Sequence, residues 1–480
     1  MKSIAENYRN LSIQMKASLW FVICSFLQKG VSLITVPIFT RVMSREEYGI
    51  VTLFTTWTTV FTIFATLNLS GSVYNRGLLK YNEDKYTSSI QSLASTCTIL
   101  LTLVLFVFHK QVSRISGLNT EVLMIMCPYF LFVAGFNLWT VRERFHYRYK
   151  KLVAFTLCNT VLSTGLGLLA VLLGTSNKGV AKVIWSTIGL IVFAIPFYIF
   201  NFVKGKKAYD HDMWKFSLAF SLPLIPHYLS NVVLNQSDKV MINMFAGKEF
   251  VALYGVSYSI GSIVRIFLDA ISATLTPWRY QSLEKKNYRE INDVSIKVLL
   301  LVGAGIVFIN LFAPEILMVF GSKEYQEGVW CIPPIMLSMY FIYLYSMYSN
   351  VEFYFLKTKF MMVASSLSAL LNIILNFWFL KWFGYIACAY TSLFCYVIYC
   401  VGHHVYMRRV CRAEIGVDDI YDVARIIKIT VVTVLMTVVS TILYRYFVVR
   451  YVLILLVCAV CAIKRNHIKQ YIVENIINKR

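Results

Sequence analysis

The run ASLWFVICSFLQKGVSLITVPIF, residues 17–39, carries one charged side chain, Lys29, and holds it about halfway along. A stretch of this length can cross the ~30 Å hydrocarbon core of a bilayer as a single helix, for which about 20 apolar residues suffice. An ion buried there is expensive, so an intramembrane charge marks a polar cavity or a transport path by default. A lysine at the midpoint is too deep to reach either surface easily by extending its stem. Either it faces a water-filled lumen, or the protein neutralises it for stability. The run alone leaves both readings open.

The same grammar repeats along the chain. Runs free of Lys, Arg, Asp and Glu occupy 48–75, 86–109, 122–141, 152–177, 183–203, 216–237, 328–351, 360–380 and 382–407. Less clean runs occupy 250–278, around Arg265 and Asp269, then 294–313, 423–444 and 447–463. In chain order, with 17–39 first, these are fourteen candidate helices, α1 to α14. Barrel strands would be shorter, with polar residues at alternate positions. The fold class is therefore an all-α polytopic membrane protein with about fourteen transmembrane helices.

Composition agrees. Hydrophobic residues make up 58% of 480 positions, above the roughly 45–50% of globular chains. The net charge of +22 would suggest nucleic acid in a soluble protein, but its distribution gives topology instead. With the N-terminus in the cytoplasm, the segments on that side carry 32 Lys and Arg and the opposite segments 12. By the positive-inside rule this places both termini in the cytoplasm, with no nucleic-acid partner. Attraction to anionic phospholipid follows as a secondary effect. The first run leads straight into many others, so it reads as a span and not as a removable targeting segment.

The eleven cysteines are scattered without ligand spacing, which predicts small core residues and no metal site. No connecting segment is large enough to fold as a domain. GxxxxGK[ST], a Gly-rich dinucleotide loop and HExxH are all missing from the sequence. No cofactor is expected. Energy must come from an ion gradient, the substrate gradient or another protein.

A weak duplication appears at an offset of 202, with Met43 set beside Phe245, Glu47 over Glu249 and Tyr48 over Phe250. It predicts two six-helix bundles, residues 1–203 (α1–α6) and 204–410 (α7–α12), followed by 411–480 with α13, α14 and a cytoplasmic tail. Parallel repeats of this kind rock about a central site in transporters. Pro37, Pro196, the pair Pro223 and Pro226 in α7, and Pro333 with Pro334 can each bend a helix. Pro223 and Pro226 lie in SLPLIPHYLSNVVLNQSDK, whose Asn231, Asn235 and Gln236 give α7 an unusual polar content. They are gate or cavity candidates, against a plain structural kink.

Arg265 and Asp269 stand four apart and share one face of α8. They form either a satisfied internal pair or an arginine oriented by its aspartate, with donors left for phosphate oxygens. Asp238 and Lys239 are gate or interface candidates at the outer end of α7. Arg76, Arg142 and Arg144 could attract a lipid phosphate to a cytoplasmic entrance, or serve topology only. Glu352 is a proton or sodium candidate, unless Lys357 or Lys359 pairs with it. Asn372 and Asn376, four apart in α11, suit hydrogen bonding between helices or a cavity lining. Tyr228, Tyr254 and Tyr258 could stack on sugar faces, or pack in the core.

The segments QKGVSLITVPIFTRVMSREEYGIVTLF and NQSDKVMINMFAGKEFVALYGVS, with the fourteen-helix pattern, resemble the bacterial polysaccharide flippases. These are a branch of the multidrug/oligosaccharidyl-lipid/polysaccharide exporter superfamily. The resemblance implies a MATE-like fold whose two bundles alternate access. It implies an undecaprenyl-pyrophosphate-linked glycan as cargo, moved from the cytoplasmic to the outer leaflet for O-antigen, lipopolysaccharide or capsule synthesis. It implies residence in the bacterial cell membrane, the inner one in a Gram-negative host, alongside polysaccharide assembly proteins. Lys29 and Arg265 are the matching kind of lumen cation, with Asp269, Asn235 and Tyr258 as further lining candidates. Coupling to H+ or Na+ stays open, because acidic residues in the membrane are few. A cation-coupled drug or metabolite exporter is the main alternative. A membrane polymerase or ligase would want larger external loops than 110–120 and 314–327 supply.

Overall fold

A computed structural model describes residues 12–455 apart from 72, 175, 358 and 453. Among the described residues there is no strand, and thirteen long helices follow the expected order. They are α1 Ile13–Val42, α2 Arg45–Thr66, α3 Glu83–Val107, α4 Met126–Phe145, α5 Tyr149–Leu172 and α6 Lys178–Gly205. Then come α7 His211–Phe245, α8 Lys248–Glu284, α9 Tyr288–Leu311, α10 Ile332–Tyr354, α11 Lys359–Phe383, α12 Ala387–Ile415 and α13 Val423–Ile442. Twelve of the described helices are long and apolar enough to cross a membrane. The chain is a multi-pass membrane protein. The α14 run, 447–463, begins as helix and lies largely outside the described residues.

Side chains at the helix ends explain the boundaries. Ser44 and Glu47 form a reciprocal capping box at the start of α2. Asn82, Asn177, Asp210 and Asp422 each accept a backbone N–H in the first turn of α3, α6, α7 and α13. The N–H of Met213 holds the Asp210 carboxyl below the usual carboxylate range. Gly416, at φ 72°, closes α12 in the left-handed conformation.

Three expectations meet a more particular outcome. The bend in α7 is a break: Leu222–Leu224 forms a single 3-10 turn, with Pro223 in it and Pro226 opening the helix beyond. Pro333 and Pro334 occupy the first turn of α10, where a missing N–H costs nothing, so they start the helix instead of bending it. Pro37 and Pro196 lie inside continuous helices. The connections 110–120 and 314–327 also hold structure, with short helices at His109–Ser116 and Ala313–Phe320.

Contacts divide the chain into two compact units. The first runs to Gly255 and includes Phe320–Ser322 and Asn372–Tyr385; the second holds Val256–Val319, Lys323–Leu371 and the chain from Ile386 onward. In the first unit, α6 packs on α5, α4, α3 and α2. A polar link fastens three of these: Gln91 of α3 donates to the Tyr198 carbonyl at 2.8 Å, and Asn201 of α6 donates to Gln91 at 2.8 Å and to the Gly135 carbonyl at 3.1 Å. The α1–α2 and α7–α8 connections have two residues each, a spacing of 203 and not 202. They meet in this unit, where a Cβ on Gly49 would stand 2.2 Å from the Lys248 carbonyl oxygen. Only glycine permits that approach. In the second unit, α10 is the central helix, buried along most of its length against α12, α9 and α13.

Candidate functional site

Lys29 lies exposed on α1, and among the described residues no hydrogen bond or ion pair engages its ammonium. Its neighbour Gln28 turns the other way, donating to Thr160 of α5 at 3.2 Å. That contact fixes the packed side of α1. Successive helical residues are rotated by about 100°, so Lys29 points away from it. Gly30 continues the open side, since a Cβ there would meet nothing within 4 Å.

The second unit holds the other deep cation. Arg265 donates from Nε to Oδ1 of Asp269 at 2.9 Å, one turn along α8, and the two side chains stay 39% and 55% exposed. The pair uses one donor and leaves the terminal guanidinium nitrogens without a hydrogen bond among the described residues. Such an arrangement orients an arginine without exhausting it.

Asp238 and Lys239 are placed differently. Both are buried in the first unit, beside Asn372 and Asn376 of its α11 segment. Asp238 accepts from the Tyr254 hydroxyl at 2.5 Å and from Asn376 Nδ2 at 2.7 Å. Asn372 Oδ1 accepts from Ser237 at 2.6 Å and from Asn376 at 3.1 Å. Lys239 reaches back to Gln236 Oε1 at 2.9 Å, which also receives Thr56 at 3.4 Å. The sequence supplies this network by setting amides one turn apart on α11 opposite consecutive Ser237 and Asp238. Tyr254 is thereby committed to the protein and not to a ligand.

Much of the polarity of α7 is absorbed locally. Asn235 donates to the Asn231 carbonyl at 2.7 Å, and Asn231 to the His227 carbonyl at 3.0 Å. Tyr228 and Tyr258 are half-buried. Pro223 and Pro226 are exposed at the break.

Among the entrance candidates, Arg142 is engaged, 2.6 Å from Asp84 and 3.3 Å from Glu83, with Lys204 and His146 joining the same carboxylates. Arg76 and Arg144 are exposed, each over an aromatic ring, Phe220 at 5.2 Å and Phe21 at 5.8 Å.

Glu352 is fully buried, and its partner is His403 of α12 at 2.8 Å. Lys357 pairs instead with Glu414 at 2.8 Å, a hydrogen bond that holds its ammonium above the ordinary lysine range. His403 escaped the sequence reading, although the doublet His403–His404 inside an uncharged run was a usable signal. Arg279 escaped too. It stands just past the apolar run 250–278, but α8 continues beyond it to Glu284 and buries it to 1% exposure. Among the described residues, no three His, Cys, Asp or Glu side chains gather to hold a metal ion.

With this geometry in hand, comparison with known proteins gives a consistent set. The family model "Polysaccharide biosynthesis protein" matches residues 15–282, and the "MatE" model matches 223–378. Lsg locus putative protein 1 of Haemophilus influenzae is 20% identical over 377 residues, covering 75% of this chain and 89% of that protein. The solved lipid II flippase MurJ, in its inward closed conformation, superposes with a TM-score of 0.70 at 16% identity, over 94% of this chain and all of that one. An inward-facing multidrug resistance MATE family transporter gives 0.61 at 14% identity, over 80% of this chain and 95% of that one. At these identities the likeness to the solved structures is one of fold.

Proposed function

The chain belongs to the polysaccharide biosynthesis protein family, and from that premise we propose that it is a flippase for a lipid-linked oligosaccharide. The observation that carries this reading is Lys29: an exposed cation, without a protein partner among the described residues, in the middle of a helix that can span a membrane. An ammonium in that position is stabilised by water and by an anion. A pyrophosphate-linked glycan supplies the anion on its headgroup. In the second unit, Arg265, held by Asp269 with donors to spare, is a further candidate for phosphate oxygens.

The cargo is an undecaprenyl-pyrophosphate-linked glycan, and the chain sits in a bacterial cell membrane with both termini in the cytoplasm, as its excess of Lys and Arg on that side favours. Residues 1–203 and 204–410 are the bodies that alternate, with 411–480 appended. The lipid tail stays in hydrocarbon while the glycan crosses in water, and no covalent bond is made or broken. Lys29 and Arg265 exchange the hydration of the diphosphate for charge-assisted hydrogen bonds. Exposed Arg76 and Arg144 draw the headgroup to the cytoplasmic face, a role from which Asp84 and Glu83 largely withdraw Arg142 by neutralising it. Asn235 and Tyr258 line the path. Where an ion drives the cycle, H+ fits better than Na+: Glu352 and His403 offer one carboxylate and one imidazole, too few oxygens for a hard cation.

Reconstitution tests the reading. In vesicles carrying a labelled pyrophosphate-linked oligosaccharide, the protein exposes the glycan to an impermeant glycosidase added on the opposite side. Vesicles that export a cationic drug but leave the glycan protected would overturn it in favour of an exporter.

A further inference from the structure

Arg279 is one of the largest fully buried side chains in the protein, and its surroundings lack what a buried cation needs. Its Nη2 reaches the Tyr343 hydroxyl at 3.5 Å, while Nε and Nη1 have no hydrogen-bond partner. The second buried arginine of the same unit is a useful contrast. Arg450 is 2% exposed and ion-paired with Glu315. Arg279 has no carboxylate among the described residues. Most acidic side chains on its own and neighbouring elements are engaged elsewhere: Asp269 with Arg265, Glu284 with Tyr354, Glu290 with Asn287, Glu352 with His403, Asp418 with Arg412, Asp419 with His404, and Asp422 with Arg425; Asp293 of α9, half-buried, forms no ion pair with Arg279.

The groups around Arg279 are donors. Tyr343 of α10 is 1% exposed and, having accepted from Arg279, keeps its own O–H to give. Ser295 of α9 is fully buried, with a hydroxyl that has no partner. Tyr421, from the connection before α13, is 3% exposed and lies beside Ser295; burial pushes its hydroxyl up to about 12, so it remains protonated. Its one acceptor is the Met347 carbonyl at 3.2 Å. A permanent positive charge, two unmatched guanidinium nitrogens and three hydroxyls therefore face a single carbonyl. Leaving a buried charge uncompensated is strongly unfavourable. Water would satisfy hydrogen bonds there but not the charge.

We propose that Arg279, Ser295, Tyr343 and Tyr421 form a buried site for one small monovalent anion of the halide class. The anion is a fixed counter-ion that ties α8, α9, α10 and the α12–α13 connection together. A divalent phosphate does not suit the place, because one guanidinium and the two O–H groups not given to protein, those of Ser295 and Tyr343, return too little of its hydration. The site is separate from Lys29 and from Arg265, whose terminal nitrogens belong to an exposed pair.

Thermal unfolding of the full-length protein in detergent tests this, with chloride or bromide replacing gluconate at constant ionic strength. The midpoint is expected to rise with halide and saturate, by about 3 °C. Arg279→Gln removes the response, and Ser295→Ala raises the halide concentration needed for half of it about threefold to tenfold. The Lys29→Ala, Arg265→Ala double variant keeps the response. Indifference of the wild type to halide would overturn the proposal, as would a response that survives Arg279→Gln or disappears in the double variant. Should Arg279→Gln fail to fold, Ser295→Ala decides: an unchanged half-effect concentration refutes the site.

Discussion

Lys29 and Lys239 are both lysines on long helices of the first unit, and the protein treats them in opposite ways. Lys239, near the α7–α8 connection, is buried and bonded to Gln236, inside a network whose other members are Asp238, Ser237, Asn372, Asn376 and Tyr254. Lys29, mid-helix on α1, is exposed, with Gly30 beside it keeping the space clear. The difference separates two uses of polarity within a membrane. In the Asp238 network, which locks α7, α8 and α11 together, buried polar groups are matched to one another. On the path proposed for the cargo, the charge of Lys29 is left with its bonding capacity unspent among the described residues.

The largest effect expected from this comparison falls on transport. Replacing Lys29 and Arg265 together by alanine removes two charge-assisted contacts worth about 1.5–3 kcal/mol each. Glycan transfer in vesicles should fall by about 100-fold or more. The unfolding midpoint should move little, since Lys29 has no bond to lose among the described residues and the exposed Arg265–Asp269 pair is worth only about 0.3–0.5 kcal/mol. Lys29→Arg should restore most of the transfer lost in Lys29→Ala. Full transfer by the double variant would break the comparison, because an unspent charge would then serve nothing.

Asp238→Ala should show the converse. It strips an acceptor from the Tyr254 hydroxyl and from Asn376 Nδ2. The expected loss is about 2 kcal/mol of stability, read from chemical or thermal unfolding, since hydrogen bonds between membrane helices are worth about 0.6–2 kcal/mol each. Transfer per folded molecule should fall much less than in the Lys29 and Arg265 variants. A stable Asp238→Ala protein with abolished transfer would move Asp238 from the lock to the path.

How far the sequence could go follows from the same physics. Each span is recorded locally, because crossing hydrocarbon takes an unbroken apolar run; hence α1 to α13 lie where the runs lie. The break in α7 was legible because Pro223 and Pro226 remove backbone donors wherever they stand. Lys29 and Arg265 stood out because their chemistry clashes with their immediate neighbours in sequence. What was not legible depends on packing between distant segments. That Asp238 meets Asn376, and Glu352 meets His403, is set by helices well over a hundred or fifty residues along the chain, at sequence separations of 138 and 51. Arg279 misled for a related reason: a cation after a proline near a span's end looks like loop, and only the continuation of α8 to Glu284 shows otherwise.

The smallest expected effect concerns the two connections that end at the locked region, which solve one problem with different residues. The α1–α2 turn uses Ser44, whose hydroxyl accepts the Glu47 N–H at 3.2 Å while Glu47 accepts the Ser44 N–H at 2.8 Å. The α7–α8 turn has Ala246 and Gly247, with φ 99° at the glycine, and turns by backbone freedom instead. Ser44→Ala should therefore cost about 1 kcal/mol, the ordinary worth of a helix cap. Glu47→Ala should cost more, because Glu47 Oε1 also accepts the Lys178 N–H at 2.7 Å and so joins α2 to α6. Unfolding midpoints that rank wild type above Ser44→Ala above Glu47→Ala, with glycan transfer kept in both variants, would hold the two uses of polarity apart. A transfer defect in Ser44→Ala as deep as that of Lys29→Ala would merge them, since a group that only satisfies its own helix would then be carrying cargo chemistry.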